Sequence, residues 1–172
     1  MTSNLALAVT GLVGLIGVLN LILIFGVISR VRMLQDAVQT GVLRDPALPA
    51  PGDPVGAFQV TAQDGALLSD TTLADAEALV CFFTPGCQPC ADLRAQLLRQ
   101  PPALPFFAFI EGASDDPEVQ NMTRSLAQLG RVALTRPDDL VTRAFRPAGF
   151  PTVFRVANGS VAAAGHRLNQ VL

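Results

Sequence analysis

The sequence predicts an α/β fold in which helices cover a mixed sheet. Two observations lead to this prediction. Short apolar segments typical of strands alternate with helical segments through most of the chain, which is the pattern of βαβ units. Near the C-terminus, Asn158-Gly159 separates two strand-like segments, and an Asn-Gly turn joins antiparallel strands. We therefore expect a sheet of parallel strands with one antiparallel edge.

The chain opens with an apolar segment that we expect to span a membrane. Leu5–Ile28 contains no charged residue and, as a helix, is long enough to cross a hydrocarbon core of about 30 Å. A cleaved signal peptide would carry a shorter apolar region after a basic start, but no Arg or Lys precedes Leu5. Residues 1–29 are thus predicted to be a transmembrane anchor that contacts the lipid bilayer through residues 5–28.

A short connecting region is predicted at residues 30–53, with a juxtamembrane helix followed by a proline-rich tether. Closely spaced prolines favour an extended spacer without a core of its own. These prolines are Pro46, Pro49, Pro51 and Pro54. Residues 54–172 then have the usual size of one domain. The net charge of -2 and the absence of Trp and Tyr provide no basic, aromatic surface, so nucleic-acid binding is not expected.

The elements of this domain are predicted in a regular order. A hairpin in "GAFQVTAQDGALLS" turns at Asp64-Gly65, and the apolar "ALVCFF" has the character of a central strand. Helices and strands then alternate as a helix at Cys90–Arg99, a strand at 105–110, a helix at 116–129, a strand at 131–134, a helix at 138–145, and strands at 152–156 and 160–165.

Three cysteines, Cys81, Cys87 and Cys90, are the full complement of the chain. Cys87 is predicted to lie in the turn between a strand and a helix, where the helix dipole and unpaired N–H groups favour a thiolate. The Cys-x-x-Cys spacing places Cys90 one helical turn away, within reach of a disulfide. We therefore expect Cys87 to attack and Cys90 to resolve.

A metal site has less support in the sequence. Structural zinc takes four Cys or His ligands, often as two spaced pairs. Here only the three cysteines and His166 are available, and His166 is expected on the surface after the last strand. We expect no metal and no other cofactor. A non-catalytic module that docks a partner or binds a metal is the alternative from a different functional class.

The segments "ALVCFFTPGCQPC" and "AGFPTVF" resemble the thioredoxin family, and specifically its membrane-anchored branch similar to TlpA, ResA and MauD. The resemblance covers about residues 54 to 165, and the opening hairpin is similar to that of the branch. It implies a thioredoxin-like fold with a redox-active Cys87–Cys90 disulfide. It also implies a cis Phe150–Pro151 bond facing that disulfide, with Phe150, Pro151 and Thr152 binding the substrate.

The sequence departs from the family at three places. Gly86 replaces the aromatic residue that often precedes the first cysteine. Cys81 stands where many cytosolic thioredoxins bury an aspartate, so we expect an inert buried thiol and slower proton transfer at Cys90. The terminal "HRLNQVL" is too short for the usual last helix, which predicts thin cover on one sheet face.

A second motif within "TPGC" leaves one more alternative open. Peroxiredoxins carry a Thr three residues before their reactive cysteine, as Thr84 precedes Cys87 here. Their motif also has a proline four residues before that Thr, where this chain has Val80. A peroxiredoxin-like peroxide reductase is therefore an alternative, and Cys-x-x-Cys exchange chemistry is favoured by the motif context.

The resemblance implies a thiol-disulfide oxidoreductase that acts on protein dithiols or disulfides, as a reductant or maturation factor with a membrane redox partner. It places the domain outside the cytoplasm of a single-pass membrane protein. The charge pattern opposes this placement, because Arg30, Arg32 and Arg44 follow the predicted span and positive charge favours the cytoplasmic side. We expect the extracytoplasmic arrangement.

Overall fold

Strands and helices alternate in the predicted order in a computed structural model that describes residues 47–75 and 77–172. The predicted anchor and most of the predicted tether lie outside these residues. Within the described part of the chain, no helix has the length and apolar character needed to cross a membrane.

The strands are β1 (Gln59–Thr61), β2 (Leu67–Ser69), β3 (Glu77–Phe83), β4 (Phe106–Glu111), β5 (Arg131–Thr135), β6 (Thr152–Ala157) and β7 (Ser160–Gly165). The helices are α1 (Asp70–Ala74), α2 (Gln88–Arg99), α3 (Pro117–Leu126), α4 (Leu140–Phe145) and a terminal 3₁₀ helix at Leu168–Gln170.

The main sheet has five strands in the order β5-β4-β3-β6-β7. The β3–β4 and β4–β5 pairs are parallel, whereas β3–β6 and β6–β7 are antiparallel. The predicted mixed sheet and its antiparallel edge are confirmed. The predicted hairpin is also confirmed: β1 pairs with β2, and Gly65 in its turn has a positive φ of 82°. This value lies in the left-handed region that glycine adopts without a steric penalty.

The central strand β3 is buried on both faces. Every residue from Ala78 to Phe83 is at most 1% exposed. Because side chains alternate along a strand, Ala78, Val80 and Phe82 pack into one hydrophobic cluster, and Leu79, Cys81 and Phe83 pack into another. The nearly continuous apolar run in the sequence is explained by this two-sided burial.

The first cluster is built around phenylalanine rings beneath the hairpin, α1 and α4. Ring centroids of contacting pairs lie 5.1 to 6.1 Å apart, within the range of favourable tilted and edge-to-face aromatic pairs. These rings belong to Phe58, Phe82, Phe109, Phe145 and Phe154. They tie β3 to β4, β6 and α4, so the centre of the sheet is held from several elements at once.

The second cluster lies under α2, α3 and the C-terminal segment. Leu93 and Leu97 of α2 and Met122 and Leu126 of α3 are buried against the sheet. The last residues form only a 3₁₀ turn, in line with the prediction that they are too short for a full helix. Leu168 and Val171 of that segment nevertheless bury their side chains, which are 7% and 3% exposed. The short end therefore still covers part of this face.

Helix boundaries differ from the predictions where turns compete with helical structure. The short helix α1 was not predicted. Helix α3 ends at Leu126 and not at 129, because the carbonyl of Leu126 accepts hydrogen bonds from the N–H groups of Leu129 and Gly130 and closes a turn. Helix α4 begins at Leu140 and not at 138: Asp138 has a positive φ of 67°, and an Asp139 carboxylate oxygen accepts a hydrogen bond from the Arg136 N–H.

The described end of the proline-rich stretch, residues 47–53, lies against the domain. The N–H of Gly52 donates to the Val161 carbonyl at 2.8 Å, and the Val161 N–H donates to the Asp53 carbonyl at 2.9 Å. The Asp53 carboxylate also pairs with Arg146 at 3.3 Å, and Leu48 packs on the first hydrophobic cluster. Residues 47–53 accordingly belong to the compact unit that contains the sheet.

These contacts predict that residues 47–53 stabilise the folded domain. A chain that begins at Pro46 should be more stable than one that begins at Pro54, because the latter loses the two backbone hydrogen bonds to Val161. At about 1 kcal/mol for each bond, the loss is about 2 kcal/mol, or roughly 5 to 10 °C in Tm. Thermal melts followed by circular dichroism measure the difference, and equal Tm values for the two chains would contradict the structural role of residues 47–53.

Candidate active site

The cysteine pair follows the central strand directly. Strand β3 ends at Phe83, and the chain turns through Thr84, Pro85 and Gly86 into helix α2. Gly86 has a φ of 70°, a conformation that is costly for residues with a Cβ atom. The Thr84 hydroxyl donates to the Glu111 carbonyl at 3.4 Å, which links the turn to the end of β4. The turn therefore lies at the carboxyl end of β3, the central strand of the sheet.

Cys87 is the N-cap residue of helix α2. Its sulfur accepts a hydrogen bond from the Cys90 N–H at 3.2 Å, and its carbonyl accepts hydrogen bonds from the N–H groups of Cys90 and Ala91 at 3.1 Å each. Pro89 lies in the first turn, where a missing N–H costs no helical hydrogen bond. The helix dipole and the amide of Cys90 thus act on the Cys87 sulfur and stabilise its thiolate in the reduced protein.

The structure joins Cys87 and Cys90 in a disulfide with their Cα atoms 5.2 Å apart. Their exposures differ: Cys87 is partly exposed, and Cys90 is 1% exposed. A partner can therefore approach the sulfur of Cys87 but not that of Cys90. This asymmetry matches the predicted division into an attacking and a resolving cysteine.

The segment before β6 faces the disulfide. The predicted cis bond between Phe150 and Pro151 is confirmed. The Phe150 carbonyl oxygen lies 3.6 Å from the Cys87 sulfur. Thr152 is fully buried, and its hydroxyl donates to the Gly149 carbonyl at 2.6 Å. Phe150 packs partly against both hydrophobic clusters, so its ring contributes to the core while its carbonyl faces the reactive sulfur.

His166 lies beside this segment, a contact that the sequence did not reveal. It is exposed after β7, as predicted, and its Nδ1 lies 2.7 Å from the Pro151 carbonyl oxygen. Because a carbonyl oxygen only accepts hydrogen bonds, Nδ1 carries the proton in this contact. Gly165 ends β7, the strand next to β6, and His166 follows it, so the contact depends on the pairing of β6 with β7 and has no local sequence signal.

Glu118 is a second residue that sequence reasoning missed. Its carboxylate accepts a hydrogen bond from the Gly86 N–H at 3.0 Å, next to the reactive Cys87. The start of helix α3 holds Glu118 there, because the Asp116 carboxylate caps the helix through the N–H groups of Glu118 and Val119. A negative charge is therefore held beside the turn that carries the nucleophile.

A cavity of about 680 Å³ lies at the carboxyl ends of β4 and β5. Its wall includes the carboxylates of Glu111, Asp115 and Asp139 together with Arg136. The pKa of Glu111 is raised above its ordinary value. Burial of the carboxyl group is the main cause, and the negative charge of Asp138 is the second. This side of the active-site turn is therefore rich in carboxylates.

Cys81 lies in β3 within the same hydrophobic cluster as Cys90. It is a free thiol with no exposed surface, and burial raises its pKa. The prediction of a buried free thiol is therefore confirmed. The raised pKa also keeps this thiol protonated near neutral pH. Among residues 47–75 and 77–172, no group of three or more His, Cys, Asp or Glu side chains is arranged to hold a metal ion.

These features together define a thioredoxin-like fold of the type found in thiol-disulfide oxidoreductases. The mixed sheet is flanked by helices, the central strand leads into a Cys-x-x-Cys pair at a helix N-terminus, and a cis-proline segment faces that pair. No family model and no curated protein matches the sequence.

Solved structures carry the same fold at low sequence identity. The chain is similar to a thio-disulfide isomerase from Thermus thermophilus, with 22% identity, a TM-score of 0.55 and coverage of 69% of this chain and 87% of that chain. It is similar to the thioredoxin domain of a thiol-disulfide oxidoreductase from Bacteroides vulgatus, with 18% identity, a TM-score of 0.58 and coverage of 72% and 93%. A thiol:disulfide interchange protein from a Bacteroides species has 20% identity, a TM-score of 0.56 and coverage of 69% and 82%. These similarities establish the fold.

The position of Glu118 predicts an effect on the reactivity of Cys87. Glu118→Gln keeps an oxygen acceptor for the Gly86 N–H but removes a negative charge that opposes the Cys87 thiolate. The reduced variant should therefore be alkylated at Cys87 about two to three times faster than wild type at pH 6, as expected for one exposed charge. Iodoacetamide labelling followed by peptide mapping gives the rate.

Asp75→Asn is the matched control, because it removes one exposed negative charge at the opposite end of β3. That variant should react at the wild-type rate. An equal rate for Glu118→Gln and wild type would show that Glu118 does not act on the nucleophile.

Proposed function

We propose that this chain is a membrane-tethered thiol-disulfide oxidoreductase that reduces disulfides in partner proteins through Cys87 and Cys90. The observation that carries the proposal is the arrangement at the start of helix α2. There a partly exposed Cys87 sulfur is capped by the Cys90 N–H, paired with a buried Cys90, and faced by the Phe150 carbonyl. Exchange chemistry needs one accessible sulfur and one protected sulfur within bonding distance.

The first step is attack by the Cys87 thiolate on one sulfur of a partner disulfide. A Cys87–partner disulfide forms, the partner S–S bond breaks, and the second partner sulfur leaves as a thiolate that takes up a proton. The backbone of Phe150 can pair with an extended segment of the partner by strand addition. Such pairing would hold the partner sulfur in line with Cys87.

Cys90 completes the reaction in the second step. Its thiolate attacks the Cys87 sulfur, the Cys87–Cys90 disulfide forms, and the partner leaves with two thiols, so two electrons pass from this protein to the partner. Cys90 must lose its proton first. Cys81 cannot accept that proton near neutral pH because its own thiol is protonated, and the proton can pass to the thiolate that the partner releases in the first step. We expect this step to be slow, since no aspartate stands at position 81.

A redox partner must return the oxidised pair to the dithiol. The predicted anchor at residues 5–28 supports a membrane protein in that role, since an anchor restricts both proteins to one surface. The resemblance to the TlpA, ResA and MauD branch supports a reducing or maturation function over a general oxidant.

Insulin reduction by the full-length protein in mild detergent, with dithiothreitol as electron source, tests the proposal. Cys87→Ser should lower the rate at least 100-fold by removing the nucleophile. Cys90→Ser that has been reduced and then freed of dithiothreitol should accumulate a Cys87–insulin mixed disulfide, visible on a non-reducing gel, because no second thiol is present to release insulin. Cys81→Ala is the control and should keep the wild-type rate. Undiminished reduction by Cys87→Ser would refute the proposal.

The extracytoplasmic position of the domain is the second part of the proposal. It predicts that a membrane-impermeant maleimide labels Cys87 on intact cells that express the full-length Cys81→Ala, Cys90→Ala double variant. The triple variant that also carries Cys87→Ser controls for non-specific labelling. Labelling that requires permeabilised cells would instead place the domain in the cytoplasm, as the arginines after the predicted span favour.

A further inference from the structure

A groove of about 630 Å³ lies along helix α2, next to residues that adjoin the disulfide. Pro89, between the two cysteines, and Phe150, which faces Cys87, lie at its start. One wall is the helix face that carries Asp92, Gln96 and Arg99, and the opposite wall includes His166 and Arg167. A partner segment that reaches the Cys87 sulfur can therefore continue into this groove.

The length of the groove suits a segment of polypeptide. Arg99 follows Cys90 by nine residues (99 minus 90), which is about 14 Å along a helix axis. An extended chain advances about 3.3 Å per residue, so four residues span the distance from the disulfide to Arg99. A protein segment fits this span.

The charges in the groove are unevenly distributed. Arg99 and Arg167 are exposed, and the ion pairs among the described residues involve other arginines, namely Arg131, Arg146 and Arg155. The acidic residue of the groove, Asp92, lies near the disulfide and accepts a hydrogen bond from the Gln88 amide at 3.1 Å. The groove thus holds two arginines and one carboxylate, in a chain whose net charge is -2.

The opposite side of the active-site turn has the opposite charge. The cavity at the ends of β4 and β5 is lined by three carboxylates, those of Glu111, Asp115 and Asp139, and by one arginine, Arg136. Glu118 lies at the turn itself. Strands β4 and β5 lie on one side of β3, whereas β6 and β7 lie on the other. A partner that crosses the disulfide therefore meets carboxylates on one side and arginines on the other, which orients a segment with acidic residues toward the groove.

Building on the proposed oxidoreductase function, we propose that the groove selects partner proteins with acidic residues about four positions from the reacting cysteine. Arg99 and Arg167 would contact these carboxylates, and His166 would hold the neighbouring Pro151 carbonyl. The two arginines are specificity-determining residues in this arrangement, and they take no part in bond exchange.

The test uses three peptides, each a symmetric disulfide-linked dimer with a self-quenched fluorophore. Each half carries one cysteine with Glu, Gln or Lys four positions before and after it. The reduced full-length protein, in excess over each dimer, reduces it in a single turnover. The fluorescence increase gives the second-order rate constant, which is divided by the rate constant for chemical reduction of the same dimer by dithiothreitol. Wild type should prefer the Glu peptide over the Gln peptide about five-fold at low salt, as two exposed ion pairs allow, and less at high salt.

Three double variants separate the groove from general electrostatics. Arg99→Gln with Arg167→Gln should bring the Glu-to-Gln ratio close to one, and Arg99→Lys with Arg167→Lys should restore most of it. Arg124→Gln with Arg143→Gln removes the same charge from exposed positions in the last turns of α3 and α4, and it should keep the wild-type ratio.

The outcomes distinguish this inference from the function on which it rests. Reduction of all three dimers by wild type at equal normalised rates would refute the groove inference and leave the oxidoreductase function intact. A preference that survives in the Arg99→Gln, Arg167→Gln variant would also refute it. A wild-type protein that reduces none of the dimers and no insulin would overturn both proposals.

Discussion

Burial of strand β3 on both faces is the constraint from which the rest of the structure follows. A strand whose residues from Ala78 to Phe83 are almost wholly inaccessible needs neighbours on both edges and cover on both faces. Strands β4 and β6 supply the edges, and two separate hydrophobic clusters supply the cover. The chain becomes accessible to solvent after Phe83, and the cysteine pair follows this point directly.

The reactive sulfur combines contributions from elements that are distant in sequence. Helix α2 supplies the amide that caps Cys87, the segment before β6 supplies the Phe150 carbonyl, and the start of α3 supplies Glu118 at Gly86. The Cys90 amide stabilises a thiolate at Cys87, whereas the negative charge of the Glu118 carboxylate opposes that thiolate. The reactivity of Cys87 therefore depends on a balance set by the packing of α2, α3 and β6 around β3.

The surface around the disulfide is polar and asymmetric in charge. Gly86 carries no aromatic side chain beside Cys87. The cavity on one side of the turn has more carboxylates than arginines, and the groove on the other side has two arginines and one carboxylate. In a site of this kind, charge complementarity can contribute more to the choice of partner than apolar contact does. The buried Cys81, whose pKa burial raises, provides no internal base beside Cys90.

The sequence by itself determined the order of the elements, the central strand, the cysteine pair and, through family resemblance, the cis bond before Pro151. These features are local, because strand periodicity, turn residues and motif spacing are read over a few neighbouring positions. Only the tertiary structure placed Glu118 at Gly86, His166 at Pro151, and Arg99 opposite Arg167. Each of these arrangements brings together segments far apart in the chain through the order of strands in the sheet. The early end of α3 and the late start of α4 are set locally, by turn hydrogen bonds at Leu126 and Arg136 that override helical preference.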